Sequence, residues 1–178
     1  MRDNLSSRFC VLLFCLGYCL FVGACSTHSS QSVVNNKVAT DSRLELDNKE
    51  IIKSFYKALN DTNWQKLKTL VSDDYRHYYA KDTGFNSISW QSAERGFKGV
   101  RSAFADWRLT PIKMIAEGDY VSVLLIGGGT HTGSFAGIAA TGKVVKAPAM
   151  TIHQLKDGKI IADWELLDNG AFLEQLKN

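Results

Sequence analysis

Proline is scarce in this chain, with two residues in 178, and so are long runs of like charge. Collagen-like and proline-rich disordered chains are thereby excluded. The net charge is only +3, and nucleic-acid binding usually calls for a strongly basic patch, so no nucleic-acid partner is expected. Cysteine is confined to the N-terminal end: Cys10, Cys15, Cys19 and Cys25. Once that end is set aside, neither a disulfide framework nor a zinc–thiolate cluster can be built. What remains is ordinary globular composition, 45% hydrophobic and 22% charged.

Arg2 and Arg8 make the first residues mildly basic, and Phe9 to Ala24 follow as an uncharged apolar run. The run falls short of the roughly 20 residues a spanning helix needs, so it reads as an export signal. It ends Val22-Gly23-Ala24-Cys25 and turns polar at once. Small residues before a cysteine resemble the lipobox of bacterial lipoproteins, in which that cysteine becomes lipidated residue one. Residues 1–24 are thus expected to be a lipoprotein signal peptide, and Cys25 the membrane anchor. Ser26 rather than Asp after the cysteine resembles outer-membrane lipoproteins, which in a Gram-negative cell places the chain in the envelope, facing the periplasm. Residues 25–42, the lipidated cysteine and a polar stretch without periodicity, are expected to be a flexible tether. Residues 43–178 form one domain, without internal repeats.

Three helices are expected first. Asp47-x-x-Glu50 can cap one that buries Ile51, Ile52, Phe55, Tyr56 and Leu59, and Thr62-x-x-Gln65 a second with Trp64, Leu67, Leu70 and Val71 inward. After an irregular stretch, Trp90, Ala93, Phe97, Val100 and Phe104 show a helical period. Residues 107–117, 119–132, 143–156 and 159–168 then read as strands, and Asp157-Gly158 is a strong hairpin signal. Gly127-Gly128-Gly129 suggests a bulge or bend. The fold class is α+β: three N-terminal helices on one face of a curved, mostly antiparallel four-stranded sheet, which can close over a cavity.

Strict alternation along the last strand puts Ile160, Ala162, Trp164, Leu166 and Asp168 on one face, with Asp163 and Glu165 on the opposite, more polar and solvated face. Asp168 beside Trp164 would lose hydration and become a better proton acceptor. The alternative is a helix cap. His131 in Gly129-Thr130-His131-Thr132-Gly133 lies near the expected bulge, His153 lies mid-strand, and His77 lies before the third helix. None has metal-ligand spacing, so no metal is expected. No dinucleotide fingerprint, phosphate loop or nucleophile elbow is present.

The segments 129–145 and 157–176, with weaker support at 117–125 and 104–106, resemble the SnoaL-like polyketide and ester cyclases of the nuclear-transport-factor-2-like superfamily, over roughly residues 45–177. The resemblance implies a cone-like barrel with an apolar pocket, often dimeric. It also implies chemistry without metal or organic cofactor, in which an aspartate removes a proton next to a carbonyl and the enolate closes a ring. That aspartate follows the strand tryptophan by four residues, at Asp168. His131 matches the position that binds or polarises a carbonyl, and His77 a pocket position. Trp90, His153 and Trp164 complete the candidate substrate-binding set. Ala139-Ala140 departs from the paired prolines usual in the family. The expected partner is an apolar, carbonyl-bearing small molecule. The alternative function is a non-catalytic lipoprotein of the same fold that binds a small ligand, since the fold alone does not fix function.

Overall fold

The computed structural model describes residues 28–177. The signal-peptide segment and Cys25 lie outside them. Helix α1 (His28–Asn60) is far longer than the expected first helix. Polar residues 28–42, read as a tether, are helical here, because none of them is a proline or glycine and nothing interrupts the turn. Residues 33–42 are exposed, Val33, Val34 and Val38 among them. Asp47 lies mid-helix, where it pairs with Arg43, instead of capping a start. The second half is amphipathic and buries Ile52, Phe55, Tyr56 and Leu59. Among the described residues no helix is long and apolar enough to cross a membrane.

Helix α2 (Trp64–Leu70) is capped by Asn63, whose side chain accepts from the Lys66 N–H at 3.0 Å, one residue after the expected cap. Strands β1 (Val71–Lys81) and β2 (Gly84–Ser89) form an antiparallel hairpin where an irregular stretch was expected. Helix α3 (Trp90–Ala103) is followed by β3 (Arg108–Glu117), β4 (Tyr120–Thr130), β5 (Val144–Lys156) and β6 (Lys159–Leu167), and α4 (Asn169–Lys177) closes the chain. The sheet therefore has six strands, not four, in the order β2-β1-β6-β5-β4-β3. It is open: β2 and β3 are edges, and the expected barrel closure is absent. Among the described residues only β1 and β6 pair in parallel.

Asp157 and Gly158 both have positive φ, 50° and 74°. That is the backbone of a tight hairpin turn whose twist suits the flanking strands. The triple glycine, by contrast, makes no bulge. Pairing of β4 with β5 runs unbroken from Tyr120↔Gln154 to Thr130↔Val144. Glycine serves there for close approach, since a Cβ on Gly127 would stand 2.6 Å from Cζ2 of Trp107. The bulge on the other flank of β4 lies in β3, between Pro111 and Lys113.

The helices cover one face of the sheet. Val121, Val123 and Leu125 of β4 with Ala149 and Leu155 of β5 pack against Ile52, Phe55, Leu59 and Leu67. A second cluster joins Phe104, Val145, Ala147, Phe172 and Leu176 at the α3–α4 end. Each such fully buried side chain contributes about 1.5–3 kcal/mol. The outer face carries exposed Ile115, Leu124, Ile126, Met150, Ile152 and Leu166.

Candidate active site

A bulge in β6 decides which of its side chains face the helices. Leu155 pairs with Ile160, but Gln154 pairs with Ala162, so Ile161 is the extra residue. Alternation changes parity there. Ile160 is buried on the inner face and, beyond the bulge, Asp163, Glu165 and Leu167 occupy that same face. Trp164 is turned outward and stacks on Tyr78, with ring centroids 5.1 Å apart.

Asp163 is therefore buried, 3% exposed, rather than solvated. His77 and His153 flank it on the neighbouring strands, at the pairs His77↔Asp163 and His153↔Asp163. One carboxylate oxygen lies 2.6 Å from His77 Nδ1 and the other accepts from the Tyr75 hydroxyl at 2.5 Å. His153 Nε2 lies 2.9 Å from the Tyr56 hydroxyl, and its Nδ1 lies 3.7 Å from Asp163. Burial resists protonation of His77, but the hydrogen bond and charge of Asp163, with Glu165 behind it, outweigh that and raise its pKa. His153, wholly enclosed, is pushed down to about 4 by burial and is neutral at physiological pH. Burial and the negative charge of Asp163 drive both tyrosine hydroxyls well above their ordinary value.

Glu165 lies on the next rung, between Tyr79 of β1 and Thr151 of β5. It reaches a cavity of about 130 Å³ walled by Trp64, Phe97, Trp107, Leu109, Leu125 and Leu167. Asn60 and Arg101 also line it, but their polar atoms serve the backbone. Asn60 exchanges two hydrogen bonds with the main chain of Leu109. Arg101 Nη2 donates to the carbonyls of Leu59 at 3.0 Å and Asn60 at 2.7 Å. Burial raises the Glu165 pKa, the positive charge of His77 opposes this, and Asp163 adds to it. A partly buried carboxyl against apolar walls is thus the one lining group free to exchange a proton with a guest.

The expected site residues are not brought together. Asp168 is exposed, and its carboxylate accepts the Ala171 N–H at 2.9 Å as the cap of α4. The dehydrated environment expected for it is absent, because the bulge moves its strand face outward. His131 is fully buried in the second cluster, stacked on Phe104 at 5.0 Å, with Nδ1 on Thr141 Oγ1 at 3.0 Å. Its main chain bonds Lys143 and Gly142, which pins the loop between β4 and β5. Trp90 is a core residue packed edge-on to Tyr75. His77 and His153 do meet, around Asp163. Asp163, Glu165 and Tyr75 were missed as site residues, and Tyr56 was expected only as a core residue of the first helix; for the two carboxylates the only signal was the inward face of a bulged strand.

The helices cover one face of an open α+β sheet, with an acidic group on the wall of an apolar cavity. The model of the SnoaL-like polyketide cyclases matches residues 50–176, and the chain belongs to that family. Among solved structures it is similar to AclR from Streptomyces galilaeus, assigned as a hydroxylase, with 23% identity and TM-score 0.67 over 75% of this chain and 83% of that one. It is also similar to IdmH from Streptomyces antibioticus, assigned as a polyketide cyclase, with 22% identity and TM-score 0.66 over 74% and 99%. A SnoaL-like polyketide cyclase from Jannaschia sp. CCS1 gives 19%, 0.67, 75% and 93%. No curated protein matches the chain.

Proposed function

We propose that this protein is an acid–base enzyme of the cyclase or isomerase kind, acting without a cofactor on an apolar, carbonyl-bearing small molecule, with Glu165 as the acid/base. The observation that carries this reading is the Glu165 carboxyl on the wall of an otherwise apolar cavity, its pKa raised by burial. As carboxylate it takes a proton from the carbon next to the carbonyl, and the electron pair passes to the carbonyl oxygen as an enolate. In ring closure that enolate attacks a second carbonyl carbon, and Glu165 returns the proton to the new alkoxide. In isomerisation the proton returns to a different carbon. Family membership supports the reaction class, while the carboxylate differs from the Asp168 implied by the resemblance.

The test needs no knowledge of the natural substrate. The α-protons of acetophenone-type methyl ketones exchange slowly in neutral D₂O, and NMR reads the rate. The protein is expected to accelerate exchange of a bound ketone, and Glu165→Gln to abolish the acceleration while ketone affinity survives. Binding without exchange would instead identify a ligand-binding lipoprotein.

Envelope attachment is the second element of the reading, supported by Phe9 to Cys25 in the sequence. Cys25→Ser is expected to move the protein from the membrane to the soluble fraction. An unchanged distribution would remove the lipid from the account.

A further inference from the structure

The cavity is small for the family's name. At about 130 Å³ it approaches the volume of an apolar cavity that holds benzene, about 150 Å³, and falls below the ~300 Å³ at which pockets for drug-sized ligands begin. Trp107 is one of its walls. Trp107 precedes β3, and its indole lies over Gly127 so closely that a Cβ there would stand 2.6 Å from Cζ2. The ring is held from behind by Phe104, 5.3 Å between centroids, and by Phe172, edge-on at 5.8 Å. A side chain packed on three sides in a close-packed interior does not swing aside without displacing its neighbours. The polar content is equally narrow. Asn60 and Arg101 are committed to main-chain atoms, which leaves Glu165 and the indole N–H groups of Trp64 and Trp107 to meet polar atoms of a guest.

Resting on the reading of the cavity as the substrate site, we propose that the substrate is a compact molecule of about one ring, with the carbonyl whose neighbouring proton is removed at the Glu165 end, and that Trp107, seated on Gly127, sets this size limit. Multi-ring substrates are excluded by the indole, which occupies the place a second ring would take. Trp107 is a specificity-determining residue: it touches the guest and takes no part in proton transfer.

Acetophenone, 2-acetonaphthone and 2-acetylanthracene carry the same methyl ketone on one, two and three fused rings, and calorimetry on the full chain reads their affinities. Hydrophobicity alone would make the largest bind best. The expected order is the reverse, with the one-ring ketone favoured over the three-ring ketone by at least about tenfold. Trp107→Leu is expected to invert the order. Trp107→Phe, which keeps an aromatic ring against Phe104 and Phe172, should move it partway if the leucine variant fails to fold. A wild-type preference for the three-ring ketone overturns the size limit and leaves the cavity's role intact. If no ketone binds either the wild type or a folded variant, the reading of the cavity falls, and the size limit with it.

Discussion

His77 Nδ1 and Asp163 Oδ1 stand 2.6 Å apart across the parallel pair of strands β1 and β6, and the Tyr75 hydroxyl holds the second carboxylate oxygen. The pair joins residues 86 positions apart in the chain. It also sets the field in which Glu165 ionises, one rung further along β6.

Replacing His77 tests that field. The positive charge on His77 lowers the Glu165 pKa, so His77→Gln removes a stabiliser of the carboxylate and lets that pKa rise further. The acid limb of a ketone-exchange pH profile should move to higher pH, with exchange at the alkaline plateau kept within a few-fold. Tyr56, Tyr75, Asp163 and His153 remain in place as the other titratable groups facing the pair. A lower plateau with an unmoved limb would mean that His77 acts only on structure.

Asp168 separates the cap from the catalyst. Asp168→Ala should cost about 1 kcal/mol, the ordinary price of a lost N-cap, and lower Tm by roughly 2–4 °C. Ketone exchange should be unaffected. Loss of exchange in a folded Asp168→Ala protein would return the acid/base role to this residue.

The two histidines bend the stability profile in opposite directions. His153 is lowered from 6.5 to about 4, so between those values the unfolded chain binds the proton and the folded one does not. Stability therefore falls as pH drops through that window, by up to about 3 kcal/mol from this group. His77 is raised, so its contribution is complete below 6.5 and is lost as pH rises through its higher folded value. Taken alone, the two histidines favour the folded state most near pH 6.5, which denaturant unfolding of the wild type against His77→Gln and His153→Gln reads. His153→Gln, which keeps a partner for the Tyr56 hydroxyl, should flatten the acid side alone.

Tyr75→Phe leaves one oxygen of a buried carboxylate without its donor. A cost of about 1.5–3 kcal/mol is expected in urea unfolding, as for other hydrogen bonds to charged groups. A neutral result would show that the Tyr75–Asp163 hydrogen bond adds nothing measurable to stability.

The strands from β3 to β6 were legible because Val, Ile and Thr mark them and Asp157-Gly158 punctuates the last hairpin. The inner face of β6 was not. Counting by twos from Ile160 leads outward to Trp164 and Asp168, and nothing in the sequence announces that Ile161 is skipped. Strand β1 was hidden for a related reason. Its inward residues Tyr75, His77 and Tyr79 are aromatic and polar, so the stretch lacks the aliphatic alternation by which a strand is recognised. The residues chosen for burial beside the carboxylates are thus the ones that conceal the strand. Cavity walls drawn from α1, α2, α3 and four strands could be located only after the elements were assembled.

The parallel neighbour of β1 is the last strand of the chain, and this orders events during synthesis. The residues of β1 emerge early but have no central partner until residues 159–167 follow. Loop closure over so long a separation is slow compared with hairpin formation. A chain cut before β6 would keep the β1–β2 and β3–β4–β5 ladders yet leave two unpaired edges in the middle of the sheet, a state prone to aggregation. The buried carboxylates of β6 and the keystone of the fold arrive together, so a shortened chain has neither.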